Sequence, residues 1–142
     1  MSTDPLDLQS LIDDAPADPW GVMPAGTVMG HMHLSVGDLE ETRALYHTAL
    51  GFDIMVWNYP GALFLSAGGY HHHLGTNTWA AHARAASDDD ARLLEWSLVL
   101  PSRDDIDRAK RRLSEAGYPV EAVDHGTTVI DPWGTSVRLT AT

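Results

Sequence analysis

The sequence predicts an α+β fold of two tandem βαβββ modules, whose curved mixed sheets surround a cavity. Three observations predict this fold. A strand, a helix and three further strands follow one another at about residues 28–80, and the same order recurs at about 91–142. Each helix has a capping side chain at its start and a glycine at its end, in corresponding places. The spacing of caps and glycines is similar in the two copies, as expected of an internal duplication.

Length and composition restrict the possible functions. The chain has 142 residues, 44% hydrophobic and 20% charged, which is typical of one globular domain. It has no cysteine, so disulfides and thiolate metal sites are excluded. The formal net charge of −11 disfavours binding to nucleic acid or to anionic lipid. No apolar run is long enough to span a membrane and no secretory signal precedes the domain, so we expect a cytoplasmic protein.

The N-terminal arm, residues 1–27, is rich in Asp and Pro and predicts a loosely structured segment with a short helix near residues 6–12. The domain proper is predicted at 28–142. A polar connector near residues 80–90 separates the two modules. Paired sheets leave a trough between them, which is a common place for a small-molecule ligand.

In the first module, Asp38 with Glu41 three residues later predicts the start of a helix, and Gly51 predicts its end. In the second module, Ser102 and Gly117 play the same parts. The predicted strands are 28–36, 52–59, 62–67 and 70–79 in the first module, and 94–100, 118–123, 128–131 and 135–140 in the second.

Two histidine-rich segments carry most of the chemical information. On a strand, His31 and His33 share one face. The same alternation predicts that His71 and His73 share a face and that His72 opposes them. If both strands line the trough, up to four imidazoles converge there. Neutral imidazole is the commonest metal ligand and suits first-row divalent ions.

Glu95 is the expected carboxylate partner of these histidines, because it interrupts an otherwise apolar strand. A charge in such a strand is seldom buried unless it is paired or binds a metal. Two histidines and one carboxylate form the facial arrangement of mononuclear iron enzymes. The alternative interpretation is that the histidines are solvated or hydrogen-bonded and that Glu95 faces water.

The chain resembles the vicinal oxygen chelate superfamily, which includes glyoxalase I, the fosfomycin- and bleomycin-resistance proteins and the extradiol ring-cleaving dioxygenases. The resemblance rests on the duplication and on the stretches GHMHLSVGDLE, YHTALGF and DPWG. It is closest to the second domain of catechol-2,3-dioxygenase-like proteins, through YPGALF, SAGGYHHH and NTW. Because the chain resembles a second domain that stands alone, a first domain encoded as a separate chain is also possible.

The resemblance implies that the opening-strand metal ligand is His31 and that the fourth-strand ligand is His73. The fifth-strand position, usually histidine, is Glu95, and the last-strand position, usually glutamate, is Arg138. Arginine has no lone pair to donate, so Arg138 either pairs with Glu95 or binds an anionic substrate. In dimeric relatives, the first-module ligands of one chain face second-module residues of the other, which implies a homodimer.

The function implied is that of a metal-dependent ring-cleaving, extradiol-type dioxygenase or related oxygenase acting on a small aromatic substrate. Its metal would be Fe(II), with Mn(II), Ni(II) or Zn(II) as alternatives. His33 or Tyr70 is the expected acid–base group, and Arg138 the group that neutralises an anionic substrate oxygen. Two alternatives stay open: a glyoxalase- or epimerase-like metal-dependent isomerase, and a metal-free protein that binds an aromatic antibiotic or serves as a non-catalytic subunit.

Overall fold

The computed structural model describes residues 5–15, 21–84, 86–124 and 126–142. A short helix, α1 (Leu8–Asp13), precedes the two modules. The first module consists of β1 (Met32–Ser35), α2 (Leu39–Thr42), a π-helix (Arg43–Ala49), β2 (Asp53–Val56), β3 (Ala62–Ser66) and β4 (Leu74–Asn77). The second consists of β5 (Glu95–Leu100), α3 (Arg103–Glu115), β6 (Val120–Val123), β7 (Gly126–Ile130) and β8 (Ser136–Ala141). Within these ranges, no helix is long and apolar enough to cross a membrane.

Each module forms a four-stranded mixed sheet. The strand orders are β1-β4-β3-β2 and β5-β8-β7-β6. In both sheets the first and last strands of the module are parallel neighbours, and the other pairs are antiparallel. The predicted α+β fold of two tandem βαβββ modules is therefore confirmed, whereas the domain boundary at residue 28 stays a prediction.

The predicted helix caps are also confirmed. The Asp38 carboxylate accepts a hydrogen bond from the backbone N–H of Glu41 at 2.8 Å. The Ser102 hydroxyl accepts one from the backbone N–H of Asp105 at 3.3 Å. Gly51 follows the helix of the first module with φ at 93°, a conformation that is unfavourable for residues with a β-carbon. Capping side chains and a C-terminal glycine thus delimit both helices.

In the first module, α2 continues as the π-helix at Arg43–Ala49, which the apolar pattern does not predict. Its backbone bonds span five residues, as in the 2.8 Å bond from the N–H of Leu50 to the carbonyl of Leu45. The side chains of Leu45, Tyr46 and Ala49 are all buried. The wide turns therefore still present an apolar face to the core, whereas α3 is α-helical throughout.

The two modules share one hydrophobic core and are joined by hydrogen bonds. The core includes Leu34, Leu45, Leu65 and Leu74 from the first module and Leu113, Val137 and Leu139 from the second. The buried hydroxyl of Tyr46 donates to Oδ2 of Asp131 at 3.2 Å. Arg112 donates to the carbonyl of Leu50, at the end of the π-helix. Burial, and secondly the Asp131 carboxylate, raise the pKa of Tyr46, so this hydroxyl keeps its proton.

The bond between Tyr46 and Asp131 should contribute measurably to stability. We expect Tyr46→Phe to lower the free energy of unfolding by about 2 kcal/mol, because a buried carboxylate oxygen loses its side-chain donor. Urea unfolding followed by tryptophan fluorescence measures the change. The control is Tyr70→Phe, which removes the hydroxyl of an exposed tyrosine and should change stability by less than about 0.5 kcal/mol. Equal stabilities of the two variants would contradict the expectation.

Candidate metal centre

The run of three histidines lies in a loop. The chain turns at Gly68 and Gly69, which have φ values of 64° and 76°, and β4 begins only at Leu74. Alternation of side chains holds within a strand and not in the loop that leads into it. The predicted strand over 70–79 is therefore too long at its start. The prediction that His72 faces away from the other histidines is wrong for the same reason.

Four imidazoles meet at the end of the first sheet, and we call His31, His33, His71 and His72 the histidine cluster. The ring centroids of His31 and His72 lie 4.6 Å apart in a stacked arrangement. Those of His31 and His33 are separated by 5.1 Å, and those of His71 and His72 by 4.5 Å. One ring nitrogen each from His31, His71 and His72 lies within 4.8 Å of the other two. These three residues could therefore hold a metal ion.

The spacing and chemistry of this trio fit a divalent ion. Zinc–imidazole bonds are about 2.0–2.1 Å long, so two nitrogens bound to one ion lie at most about 4.2 Å apart. The ring nitrogens of this trio lie within 4.8 Å of one another. The rings of His31 and His71 are exposed and can rotate, whereas His72 is buried. Small movements of the two exposed rings would bring the nitrogens to binding distance.

The buried imidazole of His72 has one ring nitrogen bonded and one without a partner. Its Nε2 lies 3.1 Å from Nε2 of His33. Its Nδ1 has no hydrogen-bond partner in the part of the chain that the structure describes. The ring of His33 occupies the space above Gly75, where a β-carbon would lie 2.7 Å from Cε1 of His33. Glycine at this position of β4 therefore makes room for the hydrogen-bonded pair.

The environment keeps both members of this pair neutral. Burial, followed by the nearby imidazoles of His31, His71, His33 and His73, lowers the pKa of His72 to about 4. Burial, and secondly His31, also lower the pKa of His33. A neutral imidazole retains the lone pair that a metal ion needs, so His72 has the protonation state of a metal ligand.

The buried state of His72 predicts a loss of stability in acid. Its pKa of about 4 in the folded chain is below its ordinary value of 6.5. Between these values the unfolded chain binds the proton and the folded chain does not, so stability falls as the pH falls from 6.5 towards 4. We expect a loss of about 2 kcal/mol from this residue between about pH 7.5 and pH 5. Urea unfolding at the two pH values measures it.

The matched variants for this measurement are His72→Phe and His82→Ala. The first should lose most of the pH dependence that His72 contributes. The second removes an exposed histidine of the connector and should keep the full dependence. The same pH dependence in both variants would show that His72 is not the group responsible.

Two of the predicted site residues lie beside the cluster. His73 follows His72, but its Nδ1 lies 3.0 Å from the hydroxyl of Ser66 and accepts a bond from the backbone N–H of Ala67 at 3.3 Å. It is not one of the three residues whose ring nitrogens converge. Tyr70 is exposed, with its ring centroid 4.2 Å from that of His71 and 4.8 Å from that of His73. Metal binding by His73 stays a prediction.

Glu95 and Arg138 form a two-armed salt bridge between the parallel strands β5 and β8. Nε of Arg138 donates to Oε1 of Glu95 at 2.8 Å, and Nη2 donates to Oε2 at 3.1 Å. This is the first of the two roles that the sequence leaves open for Arg138. Glu95 is not in the group whose ligand atoms converge. The guanidinium bonds both carboxylate oxygens, so a metal ion at Glu95 would have to share them with Arg138.

A cleft of about 730 Å³ adjoins the cluster through His33. It lies between β1, the connector and the turn that contains Trp133 and Gly134, and Arg92 and Leu93 also line it. Clefts of about 300–1,000 Å³ accommodate small organic ligands. The structure therefore places ligand-sized space next to the imidazoles. It also brings together His71, which strand alternation placed on the converging face, and His72, which alternation wrongly placed on the opposite face. The Gly-Gly turn just before them is the sequence signal for a loop.

A family model that covers most of the chain gives the class of the protein. Residues 28–137 match the family model of the Glyoxalase/Bleomycin resistance protein/Dioxygenase superfamily, and the chain belongs to this superfamily. A curated catechol-2,3-dioxygenase from Bacillus subtilis (strain 168) is 41% identical over 135 residues. The match covers 93% of this chain and 47% of the relative, so the chain spans about half the length of that protein.

Solved structures show the same fold at low sequence identity. Lactoylglutathione lyase from Agrobacterium tumefaciens has a TM-score of 0.59 and 21% identity, covering 84% of this chain and 96% of its own. TnmS3, an antibiotic binding protein from Streptomyces sp. CB03234, has a TM-score of 0.57 and 22% identity, covering 84% and 98%. Since one is a lyase and the other a binding protein, the fold alone does not choose among the functions considered.

Proposed function

We propose that the chain belongs to a metal-dependent ring-cleaving dioxygenase, or a related oxygenase, acting on a small aromatic substrate with two adjacent oxygens. The observation that carries the proposal is the histidine cluster, which brings three ring nitrogens within 4.8 Å of one another beside a ligand-sized cleft. The 41% identity to a catechol-2,3-dioxygenase supports this choice of reaction. It also supports a substrate with catechol-like oxygens.

The proposed metal ligands are His31, His71 and His72. An Fe(II) ion held there would supply the redox chemistry with dioxygen and open positions for substrate oxygens. Mn(II), Ni(II) and Zn(II) are the alternatives. The set derived from the resemblance, His31 with His73 and Glu95, remains a second proposal that shares one residue with the first. The two sets predict different effects of single substitutions.

The chain's own polar groups have proposed roles around this centre. His33 lines the cleft and is kept neutral, so it could accept a proton from a substrate hydroxyl once its Nε2 releases its bond to His72. Tyr70, exposed beside His71, is the second candidate for proton transfer. Arg138 would neutralise an anionic substrate oxygen, either with N–H groups that do not bond Glu95 or by exchanging its bonds to Glu95 for bonds to the substrate.

We also propose that two copies of the chain form a homodimer. Apolar side chains of the second sheet are exposed, among them Val99, at 58%, and Ile130, at 60%. A second copy that covered them would bury this surface. Analytical ultracentrifugation at micromolar concentration tests the assembly. A monomer that carries its full complement of metal would exclude a site shared between chains.

Metal analysis of anaerobically purified protein, followed by oxygen uptake with catechols, tests the proposed function. We expect about one iron per chain and consumption of oxygen that depends on the catechol, and loss of both in His31→Ala. Bound metal without oxygen consumption would support the isomerase instead. Protein that binds no metal but retains an aromatic ligand would support the binding protein, an alternative favoured by arginine at a position where relatives usually have a carboxylate.

A further inference from the structure

We infer that Nδ1 of His72 is a metal-binding atom of the histidine cluster, and that His33 is a positioning residue that keeps this nitrogen free of a proton. The inference rests on the proposed metal-dependent function. It specifies which ring nitrogen of His72 binds the ion and which residue orients the ring of His72.

The hydrogen bond between His33 and His72 couples the proton positions of the two rings. Nε2 lies 3.1 Å from Nε2, and such a bond between neutral imidazoles needs one N–H and one lone pair. If His33 donates, then His72 has its proton on Nδ1. If His72 donates, then its Nδ1 has a bare lone pair and His33 has its proton on its own Nδ1.

Because His72 is buried, the two arrangements differ in how well its Nδ1 can be satisfied. His72 is 7% exposed, and its Nδ1 has no partner among the described residues. A proton on Nδ1 would be a buried donor without an acceptor, which is unfavourable. A bare lone pair there lacks a donor too, but a metal ion satisfies it. A bound ion therefore selects the arrangement in which His72 donates to His33.

The surroundings hold the ring of His72 in place for this role. The ring of His31 stacks on it, with centroids 4.6 Å apart and planes at 29°. The ring of Phe64 contacts it edge-on at 5.1 Å. His33 in turn depends on the space above Gly75. The bonds that the second ring nitrogen of a ligating histidine makes normally fix its tautomer and orientation, and His33 would do this for His72.

The experiment uses Zn(II) alone as the probe. Histidine ring nitrogens of ¹⁵N-labelled protein are observed by long-range ¹H–¹⁵N correlation spectra before and after addition of Zn(II). These spectra distinguish a protonated nitrogen, a bare nitrogen and one bound to a metal. We expect that Zn(II) shifts Nδ1 of His72 and leaves its Nε2 protonated. A metal-induced shift at Nε2 of His72 instead would overturn the inference.

Variants at His33 test the positioning role by affinity. His33→Leu removes the acceptor and should weaken Zn(II) binding about tenfold to a hundredfold. His33→Gln keeps a side-chain oxygen that can accept from His72 and should restore most of the affinity. His82→Ala removes an exposed connector histidine outside the cluster and is the matched control, with no change expected.

The outcomes separate this inference from the function on which it rests. Equal Zn(II) affinities of the wild type, His33→Leu and His33→Gln would overturn the positioning role while leaving the proposed metal centre intact. Failure of the wild type to bind Zn(II) at all would overturn the metal-dependent function together with the inference. Weak Zn(II) binding by His33→Leu, together with nearly wild-type binding by His33→Gln, would support both the positioning role of His33 and the proposed metal centre.

Discussion

Replacing His31 with alanine is expected to lower the affinity of the chain for Zn(II) by about a hundredfold. Zinc sites of about four ligands bind with about 10–16 kcal/mol, so the loss of one ligand costs about 3 kcal/mol. His31 belongs to both proposed ligand sets, and its ring stacks on His72. Competition with a chromophoric chelator measures the affinity. Unchanged affinity in this variant would contradict both sets.

Four further alanine variants decide between the two sets. If the trio of the histidine cluster is correct, His71→Ala and His72→Ala should each cause a loss similar to that of His31→Ala. His73→Ala should then have little effect, because its Nδ1 already accepts a bond from the backbone N–H of Ala67 and lies 3.0 Å from the hydroxyl of Ser66. Glu95→Ala should also leave the affinity unchanged. The opposite result, with losses only at His73 and Glu95, would establish the set derived from the resemblance.

Leu74→Ala is expected to lower the free energy of unfolding by about 3 kcal/mol, since it leaves a cavity in a fully buried position. Leu74 is the first residue of β4, which lies between β1 and β3 and pairs with Met32 and Leu65. It also anchors the end of the loop that carries the three histidines. The same change should therefore weaken metal binding as well as stability. Urea unfolding and Zn(II) titration measure the two effects.

The matched control is Leu94→Ala, which makes the same chemical change at a side chain that is 63% exposed. It should alter the free energy of unfolding by less than about 0.5 kcal/mol. A similar loss in both variants would mean that the buried position of Leu74 does not account for its contribution.

The architecture could be predicted because its signals are local and occur twice. Asp38 and Ser102 cap helices through backbone groups three residues away. Gly51 and Gly117 end them with φ values of 93° and 85°. Such short-range interactions can be recognised in a sequence without knowledge of the tertiary structure. The π-helix could not be recognised in this way, because its apolar residues face the core just as those of an α-helix would.

The site was harder to predict, because it depends on where a strand begins and on contacts between distant residues. His33 and His72 are hydrogen-bonded across 39 positions of the chain. The alternation of side chains can be applied only where the start of the strand is known, and β4 begins at Leu74. The chemistry of Arg138 alone left two possible partners for its side chain, Glu95 and an anionic substrate. Choosing Glu95 requires the register of β5 on β8, which brings together residues 43 positions apart.

The hydrogen bonds between the modules also bear on how the duplicated halves have diverged. If the halves were interchangeable, each contact would occur twice, once in each direction, as in a symmetric interface. Counted from the helix caps, the counterpart of Tyr46 is Lys110, which pairs with Asp107 of its own helix. The counterpart of Arg112 is Thr48, whose side chain has no guanidinium to reach a distant carbonyl. The repeats have thus become two different, complementary parts, and two copies of either half would not recreate both of these bonds.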